Sequence, residues 1–196
     1  MLKVKPVSFT EEEQNLINNI YETGESGPDM WKESSLKAIR NKISRVTLTN
    51  QQCYCAFCEG RLEKGTTAIE HIVLKSRHRE FTYEPENLVS ACGRCNSKAV
   101  KGEKETLIEP LNPIYSLNRF KIVHPVLDEP DEHIVFKDKD RIFFDVNNCS
   151  QLGKDTIEFF KWEEINATEK RAMSAFIRKQ PSDIVKLVEE ISTYKL

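Results

Sequence analysis

The 196-residue sequence has no apolar run approaching the roughly 18 residues of a membrane-crossing helix, which excludes a helical membrane span. Residues 1–9 hold two lysines with no apolar stretch behind them, so a secretory leader is not expected and we place the chain in the cytoplasm. Charge of one sign is also missing. Lys and Arg number 29 against 31 Asp and Glu, for a net charge of −2 and a pI near 6.1. That excludes a protein that coats nucleic acid through bulk charge. There is no internal repeat, low-complexity tract or flexible linker. What is present is a globular composition, 39% hydrophobic and 31% charged. A chain of this length removes roughly 70% of its unfolded surface from water. We expect one soluble domain, without a membrane partner.

The average charge conceals a regional bias. Residues 1–59 carry a net −1, residues 60–102 a net +3 and residues 103–196 a net −4, so only the middle is basic. The six cysteines fall in the same region or at its border, apart from Cys149. In a reducing cytoplasm a disulfide framework is not expected. Two Cys-x-x-Cys units remain, Cys55-Ala-Phe-Cys58 and Cys92-Gly-Arg-Cys95, whose two-residue gaps turn paired thiolates onto one tetrahedral ion. Such a pattern points to structural zinc, against a bland reading of small buried hydrophobes. Cys53 could replace Cys55 only by widening the first gap to four residues, and reads as a packing neighbour. Cys149 reads as an ordinary core residue.

Thr10-Glu11-Glu12-Glu13 has the form of a capping box, and Leu16, Ile17, Ile20 and Tyr21 follow on one helical face before Gly24. A second helix is predicted over about 29–46, from the spacing of Trp31, Leu36, Ile39, Ile43 and Val46. Residues 66–74 read as a strand carrying Glu70-His71, and a third helix is predicted from about Glu86-Asn87 through the second knuckle to Val100. Pro110 and Pro113 interrupt the chain beyond, and extended runs are expected at 134–136 and 142–144 around a charged turn at 137–141. From about Lys154 helical spacing returns in Ile157, Phe159 and Phe160, then Ala172, Phe176 and Ile177. After Pro181 it continues in Ile184, Leu187, Val188 and Ile191.

A plain zinc ribbon places about 15 to 20 residues between its cysteine pairs, whereas residues 59–91 number 33 here. The insert holds Glu70, His71 and Asn87, and Asn96 follows the last cysteine directly. A carboxylate and an amide oxygen are hard ligands suited to Mg²⁺ or Mn²⁺, and an uncoordinated imidazole titrates near neutrality and can take a proton from water. Adjacent strand residues face opposite sides, so a bulge, a twist or a long reach is needed for Glu70 and His71 to share a site. Against this stand a structural histidine bonded to a neighbouring carboxylate as the lesser reading of His71, and a helix N-cap as a role for Asn87 that fits as well as a catalytic one. His78 reads as a solvated loop residue with basic neighbours, and His124 and His133 as structural.

Cys55-Ala-Phe-Cys58, Ile69-Glu70-His71-Ile72, Glu86-Asn87-Leu88-Val89 and Cys92-Gly-Arg-Cys95-Asn96-Ser97-Lys98 together resemble the HNH endonuclease family over about 55–101. The resemblance implies a ββα-metal finger in which Glu70 and Asn96 hold a catalytic divalent ion, His71 is the general base and Asn87 orients it. Cleavage would then leave a 5′-phosphate and a 3′-hydroxyl. Glu70 stands where many members have Asp, and Leu74 where a proline often follows the His motif. More weakly, Lys75-Ser76, His124-Pro125 with Asp128, Glu132-His133-Ile134, Thr156-Ile157 and Arg171 are similar to the HNH nucleases of Septu-type and retron defence systems. Those nucleases accompany an ATPase.

The expected fold is α+β: an HNH finger over 51–105 stapled by zinc on Cys55, Cys58, Cys92 and Cys95. A helical segment over 1–50 and an α+β extension over 106–196 would wrap it as one compact unit. The expected function is a metal-dependent endonuclease of an anti-phage system, with Zn²⁺ as structural ion and Mg²⁺ or Mn²⁺ as catalytic ion. Its partners would be nucleic acid, DNA ahead of RNA, and an ATPase. The competing readings are a non-catalytic zinc-finger module that binds nucleic acid or protein, and a purely structural component of a larger assembly.

Overall fold

A computed structural model describes residues 1–62 and 65–193. Its helices are α1 Glu11–Glu22, α2 Gly27–Lys32, α3 Lys37–Asn50, α4 Pro130–His133, α5 Gln151–Phe159, α6 Ile165–Arg178 and α7 Ser182–Thr193. Its strands are β1 Ala68–His71, β2 Leu88–Ala91, β3 Leu107–Ile108 and β4 Arg119–Phe120. Among the described residues no helix is long and apolar enough to cross a membrane.

The capping box forms as expected: Glu13 N donates to Thr10 Oγ1 (3.2 Å) and Thr10 N to Glu13 Oε2 (2.8 Å). Ile17 is buried behind it, while Leu16 of the expected face is exposed. The single helix predicted over 29–46 is broken in two. Ser26 caps α2, Pro28 sits in its first turn, and Glu33 then turns extended (φ −51°, ψ 126°) and caps the next turn through its own carboxylate. The apolar stripe survives the break, because Leu36, Ile39 and Ile43 are buried on α3 with Met30 of α2 beside them.

The helix predicted from Asn87 to Val100 is not there. Leu88–Ala91 instead forms β2, antiparallel to β1, with Glu70 opposite Val89 and His71 opposite Leu88, and residues 93–103 follow as a run of turns. Pairing wins for a physical reason. All four β2 residues are buried, so their backbone groups need partners. The edge away from β1 is satisfied by Gln51 at the end of α3, which accepts from Ser90 N (2.8 Å) and donates to Ser90 O (2.8 Å).

The mixed helix and strand character is as expected, and helices flank the finger on both sides. A hydrophobic core joins Val4, the cysteine knuckles and Phe57 to Ile122, Val123, Phe160 and Trp162. Phe57 stacks on Phe160 (4.6 Å) and Phe160 on Trp162 (5.1 Å). Of the two extended runs expected at 134–136 and 142–144, one bridge forms, Phe136 opposite Phe144, with the charged turn between. On α7, Ile184 and Leu187 are exposed, and the side chains of Val188 and Ile191 lie outside the described residues.

Candidate nuclease site and metal knuckle

The finger has two chemically distinct ends. At one, Cys55, Cys58, Cys92 and Cys95 are all buried and their sulfurs lie within 4.8 Å of one another. Cys58 Sγ and Cys92 Sγ are 3.8 Å apart. Four sulfurs about 2.3 Å from a tetrahedral zinc would have edges of about 3.8 Å, so the donor set fits that ion. Cys53 is half-buried and stands outside this cluster. Cys149 belongs to the core, where Val135 N donates to its sulfur (3.3 Å).

At the other end, a cavity of about 290 Å³ is lined by Glu70, His71, Lys75, Asn96 and Glu103 among others. Three of the residues expected at a metal-dependent site thus meet here. No bulge is needed: the ladder between β1 and β2 is regular through all four pairs, and the cavity lies across the end of β1. Asn96 is half-buried, and its side-chain amide makes no hydrogen bond among the described residues. The turn beside it requires Gly102, which has φ +47° and would bring a Cβ to 2.8 Å from Lys98 Cα.

Glu70 is buried and paired with Lys101, whose side chain is fully buried and whose Nζ also donates to His71 O (2.9 Å). Burial pushes the Glu70 carboxyl above its ordinary value, while Lys101 and Lys75 pull it down. Lys101 is a site residue that sequence reading missed. A lysine at the end of a cysteine knuckle carries no signal of its own, and only the turns at 93–103 bring it under β1.

His71 is 2% exposed, with its ring edge against Trp31 (4.5 Å). Its Nε2 lies 3.1 Å from Thr82 O, and a carbonyl can only accept, so Nε2 carries the proton. Nδ1 is then the basic nitrogen, and Lys75 Nζ donates to it at 3.2 Å. Burial first, and Lys75 second, hold the imidazole well below its ordinary pKa, so it is neutral at pH 7. The α2 helix packs closely over this loop: a Cβ on Gly27 would lie 2.0 Å from Lys75 O.

Asn87 is fully buried but touches neither ring nitrogen of His71. Its Oδ1 accepts from Val73 N (2.7 Å), and its Nδ2 donates to Val73 O (3.1 Å) and Phe81 O (2.8 Å). It therefore clamps the loop that begins after His71 and ends beside Thr82. It caps no α-helix, since β2 follows it.

The remaining histidines have structural partners. His78 is not solvated: its Nε2 lies 2.9 Å from Glu105 Oε2. His133 Nδ1 is 2.9 Å from Ser150 Oγ. Thr156 Oγ1 accepts from Val123 N (2.7 Å), and Arg171 donates to Trp162 O (2.8 Å).

Neither the curated proteins nor the solved structures yield a match to the chain. Residues 55–101 match the family model for HNH endonuclease, a span that begins at the first knuckle cysteine and ends at Lys101. About a quarter of the chain, containing both the four-cysteine cluster and the Glu70–His71–Asn96 cavity, thus matches the HNH endonuclease family.

Proposed function

We propose that this protein is a metal-dependent endonuclease that hydrolyses phosphodiester bonds in nucleic acid, DNA ahead of RNA. The observation that carries the reading is the meeting of Glu70, His71 and Asn96 in one cavity within the segment that matches the HNH family. Glu70 and Asn96 would hold Mg²⁺ or Mn²⁺, which when bound neutralises charge on the phosphate oxygens and on the leaving oxygen. Thr82 O keeps the proton on Nε2, so His71 receives the proton of water at Nδ1 as the water oxygen bonds to phosphorus. The bond from phosphorus to the 3′ oxygen breaks, leaving a 5′-phosphate and, once protonated, a 3′-hydroxyl. Lys75 brings a positive charge beside the same nitrogen and can turn to a phosphate oxygen. Zinc on Cys55, Cys58, Cys92 and Cys95 would have a structural part only.

The test is nicking of plasmid DNA with added Mg²⁺ or Mn²⁺ by wild type and by His71→Ala. Glu70→Gln should stay folded and need much more Mn²⁺ for activity, and Glu70→Asp should keep partial activity. Equal Mn²⁺ midpoints for wild type and Glu70→Gln would withdraw the ion from Glu70. The competing reading, a non-catalytic binding module, draws on the two lysines that already satisfy Glu70 and His71. A folded wild type that cuts nothing at any metal concentration would favour it.

The setting in cytoplasmic anti-phage defence and an ATPase partner rest on the weaker resemblance around His124-Pro125 and Glu132-His133. Exposed Met173 and Phe176 on α6, and Ile184 and Leu187 on α7, support a protein partner. Co-expression with the product of a neighbouring ATPase gene tests it: separate elution of the two proteins would remove this part of the proposal. The helical segment 1–50, the finger 51–105 and the extension 106–196 fold together in this reading, supported by the core they share.

A further inference from the structure

His124 and Tyr115 lie outside the matched segment, yet both are buried and joined by hydrogen bonds, through Asn87, to the loop that follows His71. His124 Nδ1 accepts from Val126 N (3.2 Å) and Leu127 N (3.1 Å). Its proton is therefore on Nε2, which donates to Tyr115 Oη at 3.0 Å. The phenol has one proton, and that proton goes to Asn87 Oδ1, also at 3.0 Å. Asn87 in turn holds Val73 by both its N–H and its carbonyl, and holds the Phe81 carbonyl. Val73 is two residues beyond His71, and Phe81 precedes Thr82, whose carbonyl fixes the tautomer of His71. Each N–H and O–H proton in the chain has one acceptor, so the direction of every bond is forced.

The chain is itself anchored. His124 N donates to Asp128 Oδ2 (2.7 Å), and the His124 ring meets Phe120 edge-on at 4.5 Å. Tyr115 meets Phe81 edge-on at 5.0 Å. His124 and Asn87 are fully buried and Tyr115 is 3% exposed, so these bonds are shielded from bulk solvent. A buried polar network in which every member is satisfied defines a single geometry more sharply than apolar packing does.

We propose that His124 and Tyr115 are positioning residues of the nuclease site, acting through Asn87 to hold both ends of the loop that follows His71 and brings Thr82 O back to its ring. The inference rests on the nuclease reading, and extends the functional unit into the 106–196 segment. Neither residue touches the cavity, so neither is catalytic. A general base must sit within hydrogen-bond reach of the water it deprotonates, and a misplacement of about 1 Å can cost on the order of a hundredfold in rate.

The experiment is Tyr115→Phe, which keeps the ring and removes one hydroxyl. Plasmid-cleavage kcat should fall about tenfold or more with KM for DNA, zinc content and circular dichroism unchanged. In ¹⁵N-labelled protein, the His71 Nε2–H resonance should shift or exchange faster. His124→Gln, which can still donate to the phenol, should retain more activity than His124→Leu. A role in stability alone would lower Tm while leaving kcat of the folded protein at the wild-type value, and that result overturns the proposal. Should wild type cut nothing, the nuclease reading falls by itself, and the His71 resonance decides the positioning: an unchanged signal in Tyr115→Phe overturns it.

Discussion

The two ends of the finger use opposite electrostatics. The knuckle gathers four buried thiols of one kind, with no charged side chain needed to hold them. The cavity end sets the Glu70 carboxylate, the His71 imidazole and Lys75 side by side, with Lys101 buried against Glu70, each facing an opposite or accepting group. Identical soft donors so placed can close on one ion, and a bound ion would staple the chain and add to stability. Buried hard groups cost desolvation and are held by one another, so the cavity gives up stability, as a site for chemistry would.

The comparison breaks most readily at the knuckle. Cys92→Ser should lose the metal and with it the fold, because structural zinc supplies an apparent 10–16 kcal/mol of binding energy, order of magnitude, in small zinc modules. Metal analysis should find about one zinc per wild-type chain. A variant that stays folded without zinc would remove the staple.

At the cavity the expected loss is in rate and not in fold. His71→Ala should lower cleavage by about 10² to 10⁴ with zinc content and unfolding midpoint retained. Wild-type activity in this variant would sink the proposed mechanism.

Lys101 sharpens the contrast, since it is the counter-charge that makes a buried carboxylate tolerable. Lys101→Met should destabilise by about 3–5 kcal/mol, the usual cost of leaving one buried charge alone. Added Mn²⁺ should then restore more stability to the variant than it adds to wild type, because the ion replaces the missing charge at Glu70. Equal Mn²⁺ stabilisation of both proteins, read by urea unfolding, would separate Glu70 from the metal.

The smallest expected effect lies in the network behind the cavity. Burial lowers the His124 pKa to about 3, with Lys3 adding to the shift. The unfolded chain binds a proton at about 6.5 that the folded chain refuses until about 3. Its contribution to stability is therefore complete above pH 6.5 and is lost as pH falls from 6.5 toward 3. Between pH 6.5 and 5 that loss is about 2 kcal/mol. His124→Gln should show a drop smaller by this amount than wild type in urea unfolding at the two pH values, and equal drops would contradict a neutral buried His124.

The finger was readable along the chain because its signals are local. Cys-x-x-Cys spacing, the Glu70-His71 pair and Asn96 beside Cys95 each occupy a few consecutive residues, and the helices α1, α5, α6 and α7 show their caps, prolines or periodicity. Leu88–Ala91 misled because a short apolar run fits helix and buried strand alike, and the pairing that decides it comes from residues about twenty positions earlier. Asn87 misled for the same reason: its amide faces Val73 and Phe81, not the backbone of a helix.

Donor types and the four-thiol cluster were thus determined by the sequence alone, since the chemistry of a donor travels with the residue. Which charges became neighbours was decided only by the tertiary structure. Lys101 under Glu70, Trp31 against His71, and the chain from His124 through Tyr115 to Asn87 span nine to forty positions along the chain. Contacts of that range leave no local pattern, and arise only when the core removes water from between groups that the sequence keeps apart.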